Sequence, residues 1–321
     1  MKKVLVAEKV SNKALDIIKE VAEIKVAPQA DVEEFKKLVT DVVAVILDTT
    51  IRLSAEIMDS APQLKVISRT GVGVDNVDIE AATKRKILVL HTPEANTNTC
   101  AEHTVVLMGA IAKQLLFLDS ELRKGNFKTS RRLYLPVDLD GKVLGIIGYG
   151  RIGKAVAKKC MNAFNMKVIA YDPYIEDSDF PEGVIRCSID RQVFSEADFI
   201  TIHVPLNDET RNFINASLLS LMKPTAYLIN AARGNVVDEN YLAKMLRENK
   251  IAGAAFDVLT NEPPLLTDEL LNAPNIILSP HSAVLTKECT VRVAIEAANG
   301  IVDYLKGKTP KYIFNREVLN K

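Results

Sequence analysis

One short stretch constrains the fold of this chain more than any other. It runs from Val143 to Gly153, where an apolar, β-branched segment leads directly into Gly-x-Gly-x-x-Gly. This pattern predicts a strand, a tight turn and a helix whose first backbone amides have no intrahelical partners. Gly148 permits the turn, Gly150 lets a pyrophosphate approach the backbone, and Gly153 lets the helix pack closely on the strand.

The residues that follow indicate which dinucleotide such a turn would bind. A second apolar run, Lys167 to Tyr171, ends at Asp172, about twenty residues beyond the last glycine, where an acid accepts hydrogen bonds from the adenine ribose of NAD. No arginine comes directly after it, and a carboxylate would repel the 2′-phosphate of NADP. An ordinary β-turn-α junction with incidental glycines would leave Asp172 unexplained, so the sequence predicts NAD as the cofactor.

Length and charge exclude several classes of protein. A chain of 321 residues suits two domains. Lys plus Arg and Asp plus Glu are equal at 41 each, so we expect neither a nucleic acid nor an anionic membrane as a partner. No apolar run approaches membrane-spanning length, and the first apolar run is too short for a signal peptide because it meets Glu8. The four cysteines and four histidines do not cluster, which predicts a reduced, metal-free, cytoplasmic protein.

The order of apolar runs predicts an α/β fold with two doubly wound parallel sheets. The strand candidates are 4–7, 24–27, 42–47, 64–68, 87–90, 143–147, 167–171, 198–202, 225–230, 251–256 and 275–278. Helical patterns separate them, with Ser11 and Ser54 as N-cap candidates. Two long apolar helices, at about 100–118 and 286–304, join the two alternating regions. We therefore expect a Rossmann-type cofactor domain, 98–287, inserted into a flavodoxin-like substrate-binding domain formed by 1–97 and 288–321.

Polar residues of three chemical kinds follow the last strands of the second region. Arg233 lies shortly after strand 225–230, Glu262 shortly after strand 251–256, and His281 shortly after strand 275–278. The carboxyl ends of parallel strands share one sheet edge, where open α/β sheets bind ligands. The three side chains are therefore expected to converge near the glycine turn.

Together they suit hydride transfer coupled to proton transfer. His281 would give a proton to a carbonyl and take it back from a hydroxyl, Glu262 would fix the imidazole tautomer, and Arg233 would hold a substrate carboxylate in its planar fork. Each residue alone also has a plain structural interpretation, as a packing histidine, a solvated acid or a surface arginine. Their joint placement favours the catalytic interpretation.

A second glycine cluster, Gly71 to Asn76, has two open interpretations. It lacks the third glycine and the distant acid of a dinucleotide turn. It is either a tight loop that offers backbone amides to a small anion or a plain turn.

These motifs in this order resemble the NAD-dependent D-2-hydroxyacid dehydrogenase family over about residues 1–306. The matching segments are Gly71 to Asp78, the Gly148 turn, Tyr171-Asp172-Pro173, His203-Val204-Pro205-Leu206, Asn230 to Asp238, Ala255 to Val258, Glu262-Pro263-Pro264 and Pro280-His281. Within the family the likeness is strongest to the catalytic core of the D-3-phosphoglycerate dehydrogenases.

The resemblance implies roles for residues that the chemistry alone does not assign. It places the catalytic trio on Arg233, Glu262 and His281. The residues that it implies for cofactor binding are Gly148, Gly150, Arg151, Ile152, Gly153, Asp172, Val204, Pro205, Ala231, Ala232, Arg233, Asp257, His281 and Ala283. It implies that Val72 and Gly73 bind the substrate with Arg233 and His281, and Arg69 is a further candidate for substrate binding. His203 is implied to be structural or to line the adenine pocket, and His91 and His103 match no catalytic position.

The substrate is expected to be a small D-2-hydroxy acid or 2-oxo acid, with 3-phosphoglycerate among the possibilities. Arg69, Arg131 and Arg132 are candidate phosphate ligands, whereas Asp48 stands where phosphoglycerate dehydrogenases commonly carry arginine and would weaken such a site. Glyoxylate or hydroxypyruvate reduction is the alternative reaction, and a non-catalytic NAD-sensing interaction protein is the alternative class. The apolar region from 100 to about 140 suggests a homodimer.

Overall fold

The computed structural model describes residues 2–27, 31–133 and 135–320. The chain divides into two compact units, one formed by Met1–Asn96 with Leu285–Lys321 and the other by Thr97–Val284. Among the described residues, no helix is both long enough and apolar enough to cross a lipid bilayer.

The first unit contains a five-stranded parallel sheet. Its strands are β1 (Lys3–Val6), β2 (Glu23–Val26), β3 (Ala44–Leu47), β4 (Val66–Arg69) and β5 (Leu88–Leu90), in the order β2-β1-β3-β4-β5. The intervening helices are α1 (Asn12–Lys19), α2 (Val32–Leu38), α3 (Ala55–Asp59) and α4 (Ile79–Lys84), with a 3-10 turn at Val39–Asp41. This is the strand order of a flavodoxin-like domain, the class of domain that the sequence predicted.

Local chemistry explains these elements. Strands β3 and β4 are buried at every position, as expected for parallel strands that helices cover on both faces. Ser11 and Ser54 cap α1 and α3, since their hydroxyls accept from the amides of Ala14 and Ile57. The sequence prediction of both caps is confirmed.

The second unit contains a seven-stranded parallel sheet. Its strands are β6 (Val143–Ile147), β7 (Lys167–Tyr171), β8 (Val184–Arg186), β9 (Phe199–Ile202), β10 (Tyr227–Asn230), β11 (Gly253–Phe256) and β12 (Ile276–Leu278), in the order β12-β11-β10-β9-β6-β7-β8. The order reverses between β6 and β9, which is the switch point where doubly wound sheets bind ligands.

In the described part of the chain, this unit has seven α-helices. They are α5 (Thr97–Ala112), α6 (Leu115–Arg123), α7 (Phe127–Leu133), α8 (Arg151–Phe164), α9 (Asp190–Glu196), α10 (Ala216–Leu219) and α11 (Glu239–Arg247), with 3-10 turns at Asp177–Asp179 and Gly234–Val236. The chain then returns to the first unit with α12 (Lys287–Leu305) and a 3-10 turn at Arg316–Asn320. The α/β class with two doubly wound parallel sheets is confirmed.

Two details differ from the sequence prediction. The single helix expected at about 100–118 is two helices, α5 and α6, because Gln114 adopts a left-handed conformation with φ of 50°. Strand β8 was not predicted, since two of its three residues, Ile185 and Arg186, are exposed and it carries no alternating or continuous apolar signal.

Candidate active site

The glycine turn after β6 leaves open space where a ligand backbone can approach. Gly148 has a φ of 90°, and a Cβ there would lie 2.8 Å from the backbone of His203. A Cβ on Gly153 would lie 2.3 Å from the carbonyl oxygen of Gly148, whereas one on Gly150 would meet nothing within 4 Å. Gly150 is the N-cap of α8 and supplies no side-chain cap, so the first-turn amides, including those of Arg151 and Ile152, remain available to an anion.

Asp172 is fixed at the end of β7 beside this turn. Its Oδ2 accepts from the amide of Tyr149 and its Oδ1 from the amide of Tyr174, both at 2.9 Å. A carboxylate has about four acceptor positions, so ribose hydroxyls can still donate to it. An open glycine turn, a helix N-terminus and an oriented acid therefore fit the pyrophosphate and ribose of a dinucleotide.

The segment after β9 carries a histidine that stays neutral. Burial lowers the pKa of His203 to about 3. The backbone of His203 lies against Gly148 and leaves no room for a side chain at position 148. Val204 is half-buried, and the carbonyl of Pro205 accepts from the Thr210 hydroxyl at 2.6 Å. A neutral imidazole of this kind does not act as a proton donor at ordinary pH.

A side-chain amide shapes the turn that carries Arg233. The Asn230 side chain donates to the carbonyl of Arg233 and accepts from the amide of Ala232, both at 2.9 Å. The guanidinium donates through Nη1 to the Ala232 carbonyl at 2.7 Å. A Cβ on Gly234 would lie 2.0 Å from the backbone of Leu259, so this turn packs directly against the chain that leads to Glu262.

Asp257 holds the segment after β12 to the end of β11. It is 1% exposed, and its carboxylate accepts from the Ser279 hydroxyl at 2.6 Å and from the amides of Ser282 and Ala283 at 2.9 Å. Burial by itself would raise the pKa of Asp257, but these hydrogen bonds and one from His103 keep the pKa below its ordinary value. The carboxylate is therefore ionised and rigidly held.

Glu262 and His281 form a hydrogen-bonded pair. Glu262 Oε2 lies 2.7 Å from His281 Nδ1, and Glu262 Oε1 accepts from the Leu259 amide at 3.0 Å. Burial would raise the pKa of Glu262, but the bonds from His281 and Leu259 and the positive charge of Arg233 hold the pKa below its ordinary value. The positive charge of Arg233 thus acts in the same direction as the hydrogen bonds to this carboxyl.

The structure brings most of the predicted site residues to one sheet edge. The glycine turn, Asp172, Arg233, Asp257, Glu262 and His281 all follow the carboxyl ends of strands in the second unit. A small apolar cluster joins Ala231 and Ala283 to Cys100 on α5, with Ile152 packed against it.

Arg69, Val72 and Gly73 lie in the first unit, at the end of β4. Arg69 is 7% exposed, and its Nη1 donates to the Thr70 carbonyl at 2.5 Å. Among the described residues, no partner accepts a hydrogen bond from the amides of Val72 and Gly73. Their open amides suit the anion interpretation of this loop better than the plain turn.

Sequence reasoning missed the contact of His103 with this site. Its Nε2 lies 3.2 Å from Ser279 Oγ and 3.3 Å from Asp257 Oδ1. No sequence pattern could have indicated this contact, since His103 and Ser279 are 176 positions apart. Among the described residues, no three His, Cys, Asp or Glu side chains are grouped to hold a metal ion.

A doubly wound sheet with this glycine turn at its switch point defines the second unit as a dinucleotide-binding domain. The family profile of the D-isomer specific 2-hydroxyacid dehydrogenase NAD-binding domain matches residues 105–283. The chain is 39% identical over 327 residues to a glyoxylate reductase of Thermofilum pendens, covering 99% of this chain and 95% of that protein. It is 38% identical over 308 residues to a D-3-phosphoglycerate dehydrogenase of Synechocystis sp., covering 96% of this chain.

The protein belongs to the D-isomer specific 2-hydroxyacid dehydrogenase family, as the resemblance predicted. A crystal structure of the TT0316 protein from Thermus thermophilus is similar over 97% of this chain and 99% of that one, with a TM-score of 0.89 and 35% identity. The chain spans only 55% of the length of the Synechocystis phosphoglycerate dehydrogenase.

Proposed function

We propose that this protein is an NAD(H)-dependent oxidoreductase that interconverts a small D-2-hydroxy acid and the corresponding 2-oxo acid. The observation that carries the proposal is the His281–Glu262 pair, at 2.7 Å, on the same sheet edge as an open dinucleotide turn. Proton donor and cofactor turn thus belong to one compact unit.

The chain's own residues handle the proton and the substrate charge. The nicotinamide, when bound, supplies or accepts the hydride at carbon 2. His281 uses Nε2 to donate a proton to the 2-oxo oxygen in reduction and to take it from the hydroxyl in oxidation. Glu262 accepts from Nδ1, which fixes the ring orientation and stabilises the imidazolium. Arg233 binds the substrate carboxylate with its fork.

The residues proposed for the cofactor are those named from the sequence. The turn glycines and the amides of Arg151 and Ile152 would meet the pyrophosphate, Asp172 the adenine ribose, and Val204 and Pro205 the adenine. Ala231, Ala232, Asp257 and Ala283 would border the nicotinamide. The acid at position 172 supports NAD over NADP.

The substrate carboxylate is proposed to use the open amides of Val72 and Gly73. Whether the substrate also carries a phosphate depends on Arg69. Its guanidinium is buried and bonded to the Thr70 carbonyl, and Asp48 lies near the carboxyl end of the adjacent strand β3. These two observations favour an unphosphorylated substrate, such as glyoxylate or hydroxypyruvate. Reduction of such a substrate is therefore the second candidate function, beside reduction of 3-phosphohydroxypyruvate.

NADH consumption over a panel of 2-oxo acids tests the proposal. The panel includes 3-phosphohydroxypyruvate, hydroxypyruvate, glyoxylate, pyruvate and 2-oxoglutarate. We expect turnover with at least one of them, and a loss of about a hundredfold or more in kcat for His281→Ala with NADH binding retained. A wild-type protein that binds NADH but reduces none of them would instead support a non-catalytic NAD-sensing protein. Arg69→Ala distinguishes the substrates, since only a phosphate-binding role predicts a selective loss of 3-phosphohydroxypyruvate reduction.

A homodimer is proposed from exposed apolar side chains in the second unit. Leu115, Leu116 and Phe127 are 55%, 58% and 55% exposed, and Leu135 is 85% exposed. Such a concentration of exposed apolar side chains on α6, on α7 and just after α7 is typical of an interaction surface. Sedimentation equilibrium should give the dimer mass, and a monomer at micromolar concentration would contradict the proposal.

A cytoplasmic location is supported by four cysteines that are all free and buried.

A further inference from the structure

His103 contacts the polar network beneath the His281 segment. It lies in the first half of α5, and its side chain is 23% exposed. Its Nε2 is within 3.3 Å of both Ser279 Oγ and Asp257 Oδ1. Because Ser279 Oγ itself donates to Asp257 Oδ1 at 2.6 Å, the three groups form a single hydrogen-bonded network that joins α5 to the ends of β11 and β12.

Asp257 is the central residue of this network, because all the donors converge on its carboxylate. Its side chain is fully buried, and a buried carboxylate needs several donors to remain ionised. The segment after β12 supplies the Ser279 hydroxyl and the amides of Ser282 and Ala283. Among the described residues, His103 is the only one outside that segment whose side chain hydrogen-bonds to the Asp257 carboxylate and helps to keep its pKa low.

His281 occupies a backbone conformation that requires external support. Its φ is 50°, in the left-handed region that non-glycine residues rarely adopt. Its amide donates to the Asp257 carbonyl at 2.7 Å, and the two residues that follow donate to the Asp257 carboxylate. The position of the imidazole therefore depends on the orientation of Asp257.

We propose that His103 is a positioning residue that, with Ser279, holds the Asp257 carboxylate in the orientation that presents His281 to Glu262. The inference rests on the proposed role of His281 as the proton carrier. His103 transfers no proton to substrate in this scheme. His103 supplies an N–H donor at Nε2. A side chain that carries a donor at a similar distance from the backbone should therefore preserve the function, and an apolar side chain should not.

Hydrogen–deuterium exchange of the protein without cofactor tests the positioning directly. In His103→Leu we expect the amides of His281, Ser282 and Ala283 to exchange about tenfold faster. In His103→Gln, whose amide can donate, they should stay near the wild-type rates. Glu102→Gln is the matched control, since this neighbouring α5 side chain is 65% exposed and lies 3.7 Å from Lys159, away from the Asp257 network. Unchanged protection in His103→Leu would overturn the proposal.

Kinetics provide a second, independent test. We expect kcat for 2-oxo acid reduction to fall about tenfold in His103→Leu and in Ser279→Ala, with a much smaller change in His103→Gln. The double variant should lose little more than either single variant, because both act through Asp257. Additive losses would contradict the shared path. Should His103→Leu fail to fold, Ser279→Ala carries the same prediction in both experiments.

The two proposals fail in different ways. If the wild-type protein reduces no 2-oxo acid, the proposed function is wrong, whereas exchange of the 281–283 amides still tests the role of His103. If the wild-type protein is active and His103→Leu matches it in both kcat and exchange, only the positioning role is wrong.

Discussion

Nδ1 of His281 lies 2.7 Å from Oε2 of Glu262, while the other oxygen of Glu262 is held by the Leu259 amide. The Glu262 carboxylate is therefore held by a backbone amide through one oxygen while it bonds the imidazole through the other. This arrangement leaves His281 Nε2 as the ring nitrogen that can exchange a proton with a ligand. The pair consequently has a defined direction, from the Glu262 carboxylate through Nδ1 to Nε2 of the imidazole.

Replacing the acid tests that direction. Glu262→Gln removes the negative charge that stabilises the imidazolium but keeps the shape, so we expect kcat to fall about tenfold to a hundredfold. The affinity for NADH should stay within about twofold, because no part of the dinucleotide turn changes. Steady-state kinetics and NADH fluorescence titration measure the two quantities. Glu248→Gln, an exposed acid 4.0 Å from Lys244, is the control, and a fully active Glu262→Gln would contradict the assignment.

Two glycines of the turn should respond to alanine in opposite ways. A Cβ on Gly150 meets nothing within 4 Å, and its φ of −74° suits alanine, so Gly150→Ala should fold with a stability within about 1 kcal/mol of wild type. Its NADH affinity should nevertheless fall at least about tenfold, because the methyl group occupies space that the pyrophosphate needs.

Gly153→Ala should instead destabilise the second unit. Its Cβ would lie 2.3 Å from the Gly148 carbonyl oxygen, which forces α8 away from the turn at a cost of about 1–3 kcal/mol. Denaturant unfolding together with NADH titration separates the two effects. A Gly150→Ala protein that binds NADH normally would exclude this turn as the pyrophosphate site.

Cofactor preference should depend on Asp172. In Asp172→Ser we expect the ratio of kcat/KM for NADPH to that for NADH to rise about tenfold or more, since the charge that repels a 2′-phosphate is removed. Binding of NADH should also weaken, because the carboxylate orients the amides of Tyr149 and Tyr174. Asp179→Ser, an exposed acid in the same loop region, should leave the ratio unchanged. An equal shift in both variants would indicate a general charge effect.

Glu8 should make stability depend on pH. Burial raises the pKa of Glu8 from 4.5 to about 7, against a hydrogen bond with Thr70 and the charge of Arg69 that lower it. The folded state therefore binds this proton more tightly than the unfolded state. Well below pH 4.5 the carboxyl is protonated in both states and does not lower the free energy of unfolding. As the pH rises from 4.5 to 7, ionisation favours the unfolded state, and the free energy of unfolding falls.

Glu8→Gln should consequently stabilise the protein by about 3 kcal/mol at pH 8 and by less than about 1 kcal/mol at pH 5. Urea unfolding at the two pH values measures the difference. Glu182→Gln, at an exposed position, should show no such dependence. A Glu8→Gln protein with the same relative stability at both pH values would contradict the raised pKa.

Local patterns in the sequence determined a large part of this structure. The glycine turn, the caps at Ser11 and Ser54, and most strands follow from turn chemistry and apolar runs, which depend only on neighbouring residues. Arg233, Glu262 and His281 could be placed on one edge because each follows a strand, and parallel strands end on the same side.

Only the tertiary structure decided the rest. The helix break at Gln114, the burial of Arg69 beneath Gly71 and the contact of His103 with Asp257 leave no periodic signal in the chain. They depend on which side chains meet after helices pack on the sheets, and residues far apart in sequence decide that packing. The sequence therefore determined most of the strands and the chemistry at their ends, whereas packing decided which groups support that chemistry.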